Sequence, residues 1–276
     1  MASFEFDEIG YWSEVKLDII KDYAKAYSTI LAKQKWCKGH HYIDAFAGAG
    51  IHISKATGGF VAGSPLNALN TKPAFTNYHL IDLDSGKTEN LRKMAANIPS
   101  AKIYQGDCNK ILLEEVFPLL TRERFTRGLC LLDPYGLHLN WEAMRKAGEL
   151  GTVEIFLNFP VADINRNALW RARDKVKPEQ AARLTSFWGD ESWREIAYDT
   201  HSDLFAHPTK NDNETIAEAF RKRLKSVAGF KHVLDPVPMR NKSNAVVYYL
   251  YFASPNETAN KIVGQIFTKY RNRGAK

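Results

Sequence analysis

Between residues 41 and 159 the chain alternates five short apolar runs with four helical stretches, and this alternation constrains its fold more than any other feature. Short apolar runs of this kind are typical of strands buried on both faces, and the intervening helices cover those faces. The sequence therefore predicts a parallel sheet with helices on both sides. The predicted strands are residues 41–47, 77–83, 101–105, 128–133 and 153–159.

The segments that flank this core predict additional elements. In residues 13–33 apolar side chains recur close to every 3.6 positions, which predicts a helix capped by Ser13 within an N-terminal helical extension of residues 1–38. Residues 161–211 are polar and too long for a connecting loop, so we expect a helical insertion. Its tryptophans and arginines suit contacts with nucleic acid, or alternatively are core anchors and solvated helix faces.

Regular patterns return after the insertion. Residues 214–227 and 256–270 predict helices, and residues 231–237 and 245–253 predict two strands close enough along the chain to pair in antiparallel fashion. We therefore predict one α/β domain over residues 1–276. Its sheet is a doubly wound, mostly parallel, Rossmann-like sheet with an antiparallel edge.

Charge and cysteine content narrow the classes of function. A net charge of +7 favours polyanionic partners, of which nucleic acid is the commonest. No run of 18 apolar residues and no secretory signal is evident, so we expect a cytoplasmic protein without a membrane partner. Cys37, Cys108 and Cys130 lack CxxC spacing, which argues against a disulfide framework or a zinc site, and no spacing of other residues predicts a metal.

The first predicted strand leads into YIDAFAGAG, residues 42–50. Ligands of open parallel sheets bind beyond the carboxyl ends of the strands, and glycines there allow a close approach to the backbone. The fingerprint GxGxxG is incomplete because Ile53 occupies its third position, and no GxxxxGK[ST] loop is present, which disfavours NAD and phosphate cradles. Asp44, upstream of Gly48 and Gly50, suits a ligand that carries an ammonium group. Alternatively, the segment is a bare tight turn.

Acids also end the next two strands. Asp82 can accept both hydroxyls of a ribose, with Asp84 as the alternative or as the cap of the following helix. Asp107 can reach an adenine amino group while Cys108 packs nearby. Equally, Asp107 or Asn109 caps the next helix.

The ordered segments YIDAFAGAG, LIDLD, QGDCN and LLDPYG resemble motifs one to four of class I methyltransferases, which bind S-adenosylmethionine. The resemblance covers residues 41–160. It implies that Asp44 and residues 48–50 surround the methionine part, next to Phe46 at the strand end. It also implies that Asp82 holds the ribose and that Asp107, with Cys108, lies at the adenine. The stretch of residues 51–63 is longer than the compact pattern of that superfamily.

A narrower resemblance is to the three-Cys-motif partner proteins, TcmP. It rests on a helix with Trp12, Lys16 and Leu17, on IDAFAGAG, GSPLNAL, GDCN and LDPYGL followed by Trp141, and on NFP with Arg166 downstream. Members of that family are encoded beside a separate protein that bears three cysteines. The resemblance therefore implies such a partner protein, and it leaves the substrate open.

LLDPYGL also resembles the [D/N]PP[Y/F] motif of methyltransferases that act on base amino groups. It has only one proline, and in this it is more similar to the DPFG motif of the tRNA guanine-N2 dimethyltransferases. In such sites the acid and the proline carbonyl accept hydrogen bonds from the target amine, and the aromatic ring stacks on the base. Asp133, Pro134 and Tyr135 are the candidate catalytic residues, and Asn158 and Arg166 are candidates for substrate binding. Alternatively, Asp133 and Pro134 only end a strand and Tyr135 belongs to the core.

These patterns support three hypotheses for function. The leading one is an S-adenosylmethionine-dependent methyltransferase that modifies an amino group in DNA or RNA. The second is a non-catalytic or partner-dependent methyltransferase-fold subunit of a complex with a three-Cys-motif protein. The third is a methyltransferase of small molecules or peptides.

Overall fold

The computed structural model describes residues 7–169, 176–199 and 209–271. The strands are β1 (Glu8–Ile9), β2 (Gly39–Asp44), β3 (Ile51–Ser54), β4 (Phe60–Ala62), β5 (Asn77–Asp82), β6 (Ala101–Gln105), β7 (Thr126–Leu132), β8 (Val153–Phe159), β9 (Tyr198–Asp199), β10 (Thr209–Lys210), β11 (His232–Val233), β12 (Val237–Arg240) and β13 (Val246–Ser254). The α-helices are α1 (Tyr11–Ala32), α2 (Ser64–Leu69), α3 (Ser85–Met94), α4 (Cys108–Ile111), α5 (Trp141–Leu150), α6 (Val161–Asn167), α7 (Pro178–Trp188), α8 (Trp193–Ala197), α9 (Asn213–Ser226) and α10 (Glu257–Arg271). A π-helical segment, Leu112–Val116, and a 3-10 turn, Phe117–Leu119, follow α4.

The central sheet confirms the predicted architecture. Its order is β11-β13-β8-β7-β2-β5-β6, and β12 also pairs with β13. The five strands from β8 to β6 are parallel, whereas β13 runs antiparallel to β8 and forms the expected antiparallel edge. The chain leaves β2 towards β5 on one side and returns through β7 on the other, so the order reverses at β2. In such sheets the crevice at this reversal is where ligands bind.

Two apolar layers cover the two faces of the sheet. Because side chains alternate along a strand, Ile43 and Cys130 point into one layer while Tyr42 and Leu131 point into the other. Helix α1 packs on the second layer beside α10, so the N-terminal extension is part of the domain core. Among the described helices, none is long and apolar enough to cross a membrane.

Two details of the helix starts differ from the prediction. Gly10, not Ser13, is the N-cap of α1, because the preceding residues are extended in β1 and the helix begins directly after them. The segment SPLNALN, residues 64–70, predicts a helix that Ser64 caps with Pro65 at its first position. In the structure Gly63 is the N-cap of α2, so Ser64 is already helical and Pro65 follows it.

The segment of residues 161–211 contains α6, α7, α8 and the antiparallel pair β9 and β10. Trp188 and Trp193 are buried in the core, so the interpretation of these two rings as surfaces for nucleic acid is wrong. They fill the apolar layer beneath the insertion. Three other residues of this predicted set, Trp170, Arg171 and Arg173, lie outside the described residues, as do residues 1–6.

A second, three-stranded sheet was not predicted. Strand β1 pairs in parallel with β3, and β3 pairs with β4 as a hairpin. We call β1, β3 and β4 the flap. Strands β3 and β4 come from the stretch of residues 51–63 that separates the glycine turn from α2, and β1 joins them from the segment before α1.

Candidate functional site

The glycine turn after β2 is the floor of the site. Gly48 and Gly50 have φ angles of 63° and 81°, which other residues adopt only with strain. A Cβ on Gly50 would lie 2.5 Å from Cε of Met94, whereas a Cβ on Gly48 would meet nothing within 4 Å. The turn is therefore packed from below at Gly50 and open above Gly48.

Asp82, at the end of β5, is bonded directly to this turn. Its Oδ2 accepts the Gly48 N–H at 2.8 Å and its Oδ1 accepts the Asp84 N–H at 2.9 Å. Asp84 instead caps α3 by accepting the Lys87 N–H at 2.8 Å. The sequence left open whether Asp82 or Asp84 holds the ribose, and Asp82 is the one that faces the turn. The adjacent Leu83 exposes 75% of its surface.

Asp44 lies fully buried beneath the turn. Burial raises its pKa to about 7, and the nearby charge of Asp133 adds to this, against the lowering effect of hydrogen bonds from Ser64, Phe46 and Tyr42. The Phe46 N–H donates to Asp44 Oδ1 at 3.4 Å. Asp44 thus supports the turn from below.

Asp107 caps α4, because its Oδ1 accepts both the backbone N–H and the side-chain amide of Asn109 at 2.9 Å. Its carboxylate is exposed, whereas Cys108 beside it is buried, and burial raises the pKa of the Cys108 thiol to about 12. The cap that the sequence offered as an alternative is present. Oδ2 of Asp107 takes part in neither of these two bonds. Asp107 follows β6, which is separated from β2 by β5 in the sheet.

A cavity of about 360 Å³ opens above the turn. Five segments of the chain meet there: the start of the chain with α1, the glycine turn, the flap with α2, the DPYG loop after β7, and the sheet edge at β8 and β13. Its walls are formed by Asp7, Glu8, Ile9, Ser13, Lys16, Leu17, Phe46, Ala47, Gly48, His52, Ser64, Asp133, Pro134, Tyr135, Asn158 and Tyr248.

Asp133 is held from two sides at the wall of this cavity. Nζ of Lys16 forms an ion pair with its Oδ2, and Nδ2 of Asn158 donates to its Oδ1 at 2.7 Å. Burial alone lowers the pKa of Lys16, but the charge and hydrogen bond of Asp133, with Tyr248, outweigh it and raise the pKa. Lys16 therefore stays charged and holds the Asp133 side chain in place through the ion pair.

Two buried polar atoms in the cavity walls find no hydrogen-bond partner among the described residues. They are Oδ1 of Asn158 and Nδ1 of His52, on the flap. Asn158 is 9% exposed, and its amide orientation follows from the bond of Nδ2 to Asp133. Burial lowers the pKa of His52. An unpartnered buried polar group costs about 1–3 kcal/mol, so such atoms favour a polar ligand.

Tyr135 is 59% exposed, so the alternative that it is a core residue is wrong. Its hydroxyl donates to Asp7 Oδ2 at 3.3 Å, and Lys87 Nζ binds the same oxygen at 3.1 Å. The ring therefore lies at the rim of the cavity, where the DPYG loop meets the residue just before β1.

A second cleft of about 250 Å³ adjoins the cavity at Tyr135, which lines both. It lies between the DPYG loop and helices α6 and α7. Its walls are Tyr135, Gly136, Leu137, His138, Asp163, Asn167, Gln180 and Arg183. The sequence also proposed Arg166 for substrate binding. Arg166 is exposed in the last turn of α6, and it lines neither the cavity nor the second cleft.

Sequence reasoning assigned no role to Lys16, His52 or Tyr248. A signal for Lys16 was present, because a lysine among the apolar positions of α1 must either snorkel or pair with a buried acid. His52 and Tyr248 carried no such signal, since only the tertiary fold brings the flap and β13 to the cavity. Among the described residues, no group of three or more His, Cys, Asp or Glu side chains is arranged to hold a metal.

Comparison with known proteins extends the fold assignment. No protein-family model matches the chain, and no curated protein matches its sequence. Protein LPL1258 of Legionella pneumophila, described under the family model DUF519, is similar in structure over 94% of this chain and 93% of that chain, with a TM-score of 0.56 and 14% identity. At this identity the likeness shows the fold.

More distant matches carry methyltransferase names. A SAM-dependent methyltransferase of Leishmania major matches over 87% of this chain and 72% of its own, with a TM-score of 0.39 and 10% identity. The CurJ carbon methyltransferase matches over 88% of this chain and 55% of its own, with a TM-score of 0.43 and 10% identity.

Proposed function

We propose that this protein is an S-adenosylmethionine-dependent methyltransferase that acts on an amino group of a nucleic acid. The observation that carries the proposal is the acceptor group at the wall of the cavity. Asp133 is fixed by Lys16 and Asn158, and the buried Oδ1 of Asn158 is left without a donor among the described residues. A ligand that brings N–H groups would satisfy it.

The residues present fit the cofactor. The space above Gly48 admits a ligand close to the backbone, and the cavity volume lies within the range of small-molecule sites. Phe46, Gly48 and Gly50 would surround its methionine part, with Asp44 below them. Asp82 and Asp107, at the ends of neighbouring strands, would receive the ribose and the adenine. When bound, the cofactor supplies a methyl group on a sulfonium centre.

The side chains of this site position an amine. Asp133 and the carbonyl of Pro134 accept N–H bonds, and Asn158 Oδ1 offers a further acceptor on the same wall. Acceptors placed around an amino group orient its lone pair, which is the geometric requirement of a direct transfer. The ion pair between Lys16 and Asp133 leaves neither charge uncompensated at this wall.

The proposed substrate class rests on the ring of Tyr135 and on charge. An exposed aromatic ring at the rim of an amine-binding cavity is suited to stacking on an extruded base. The net charge of +7 favours a polyanion. The flap, together with the contact between Tyr135 and Asp7 just before β1, would cover the bound groups and exclude water.

The first test is calorimetric titration with S-adenosylmethionine and S-adenosylhomocysteine, using NAD and ATP as controls. We expect micromolar binding that Asp82→Ala weakens about tenfold or more, because two hydroxyl bonds to a carboxylate are lost. Exposed Asp235→Asn is the matched control and should bind as the wild type does. No binding by the wild type would overturn the cofactor assignment.

The second test is methyl transfer from labelled cofactor to single-stranded DNA, structured RNA and a peptide mixture at low salt. Transfer to nucleic acid alone is the expected result. Cofactor binding without transfer, restored by adding a three-Cys-motif protein, would favour the partner-dependent hypothesis. Transfer to peptides alone would overturn the substrate class.

A further inference from the structure

The second cleft contains two opposite charges that do not pair with each other. Asp163 accepts the amide of Asn167 at 2.8 Å through Oδ1, and Arg183 forms no ion pair among the described residues. Both side chains line the same cleft of about 250 Å³. A carboxylate and a guanidinium that share a cleft without pairing are suited to a ligand that presents a donor edge to one and an acceptor edge to the other.

The geometry of the DPYG loop fixes the carboxylate. A Cβ on Gly136 would lie 3.0 Å from Asp163 Oδ2, so the loop passes directly against this oxygen. Gly136 has a φ of 61°. The loop is also tied to α7, because Ser186 Oγ donates to Asn140 Oδ1 at 2.8 Å, one turn from Arg183. The loop that follows β7 therefore touches Asp163 of α6 and is hydrogen-bonded to α7, which carries Arg183.

We propose that this cleft is a binding site for a guanine base that neighbours the target nucleotide. Guanine presents N1–H and N2–H side by side, which suits a carboxylate, and its O6 and N7 suit an arginine, the commonest specific contact to this base. Adenine and cytosine offer a single amino group and no adjacent ring N–H. Gln180, which carries both a donor and an acceptor, completes the polar wall.

The position of the cleft relative to Tyr135 supports a neighbouring base. Tyr135 lies between the cleft and the cavity that contains Asp133, and it lines both. A guanine held by Asp163 would lie in the second cleft and not in the cavity that Asp133 lines, so it is read and not methylated. That part of the inference rests on the proposed function, because it presumes that the methyl transfer takes place beside Asp133.

The experiment is saturation-transfer NMR of GMP, AMP, CMP and ribose 5-phosphate with the whole protein at equal concentrations. We expect GMP to bind in preference, and Arg183→Gln and Asp163→Asn each to weaken it by about tenfold. Exposed Arg124→Gln, in the turn before β7, is the control and should bind GMP as the wild type does. Equal binding of the three nucleotides, or binding of ribose 5-phosphate as strong as that of GMP, would overturn the proposal.

This result is separable from the test of the proposed function. Titration of the same two variants with S-adenosylhomocysteine should give the affinity of the wild type, because Asp163 and Arg183 line the second cleft and not the cavity. If the cofactor binds and GMP shows no preference, the guanine site alone is wrong. If GMP is preferred and no cofactor binds, the methyltransferase proposal is wrong while the base-binding site stands.

Discussion

Two histidines of this protein, each with a buried ring nitrogen, stand in opposite situations. His79, in β5, is bonded through both ring nitrogens: Nε2 to His41 Nδ1 at 3.0 Å and Nδ1 to the Tyr104 hydroxyl at 2.9 Å. His52, in the flap, has a buried Nδ1 with no partner among the described residues. The first histidine belongs to a closed structural network within the sheet, and the second lines a cavity.

The same contrast separates the buried carboxylates. Glu154, in β8, accepts the hydroxyl of Tyr23, and its exposure is 7%. Asp133 is bonded to Lys16 and Asn158, yet it also lines the cavity. Oδ1 of Asn158, which has no partner among the described residues, lies in the same wall. Polar groups that satisfy one another serve the fold, because leaving them unpaired is costly. Polar groups that remain unsatisfied beside a cavity favour a ligand.

The largest expected effect tests the cavity side of this contrast. Asp133→Asn removes the anion that accepts the target N–H and leaves Lys16 without its charge partner. We expect methyl transfer to fall by at least about 100-fold while affinity for the cofactor changes less than about threefold. Single-turnover rates and calorimetry measure the two quantities. A variant with unchanged transfer would show that Asp133 only terminates β7.

A structural substitution should have the opposite profile. His79→Phe removes the partner of His41 Nδ1 and one partner of the Tyr104 hydroxyl at a buried position. We expect the free energy of unfolding to fall by about 3–4 kcal/mol, with methyl transfer per folded molecule unchanged. Urea unfolding and a transfer assay on the same sample measure this. A stable variant with impaired transfer would contradict the division between the two regions.

The sequence allowed prediction of the sheet and of the acids at its carboxyl end, because both are local patterns. Five strands and Asp82 were located from apolar runs and from the residues that follow them. The flap could not be predicted in this way, since β1, β3 and β4 have only two to four residues and carry no long alternation. Pairing between residues 8–9 and 53–54 depends on contacts that the fold creates.

The ion pair of Lys16 and Asp133 shows the same limit. The two residues are 117 positions apart, and the apolar pattern of α1 records only that Lys16 lies on its buried face. The identity of the partner requires the strand order, which brings the end of β7 beneath α1. Likewise, the buried state of Trp188 follows from the packing of α7 on the core, which composition alone left open.

A pH test sharpens the contrast between the carboxylates. Burial raises the pKa of Glu154 to about 7, above its value in the unfolded chain. The folded state therefore holds this proton more tightly, and the free energy of unfolding falls as the pH rises from about 4.5 to about 7. Glu154→Gln keeps an acceptor for Tyr23 and removes the titration.

We expect Glu154→Gln to be more stable than the wild type by about 2–3 kcal/mol at pH 8, with the difference vanishing near pH 4. Asp44 titrates in the same range but is present in both proteins, so its contribution cancels in the difference. Exposed Glu179→Gln is the control and should show no such trend. Parallel stability curves for Glu154→Gln and the wild type would mean that Glu154 is ionised in the folded state.

The smallest effect concerns the two glycines of the turn, which divide between the two roles. Gly50→Ala places a methyl group 2.5 Å from Cε of Met94 at a φ of 81°, so we expect a loss of about 2 kcal/mol in unfolding free energy. Met94→Ala in the same chain removes the clash but not the backbone strain. The double variant should therefore lose less unfolding free energy than the sum of the losses in the two single variants.

Gly48→Ala meets no atom within 4 Å, yet it projects into the space proposed for the cofactor. Its stability should fall by only about 1 kcal/mol, from the positive φ, while cofactor affinity falls more steeply than in Gly50→Ala. Equal losses of affinity in the two glycine variants would mean that the space above Gly48 does not receive the ligand.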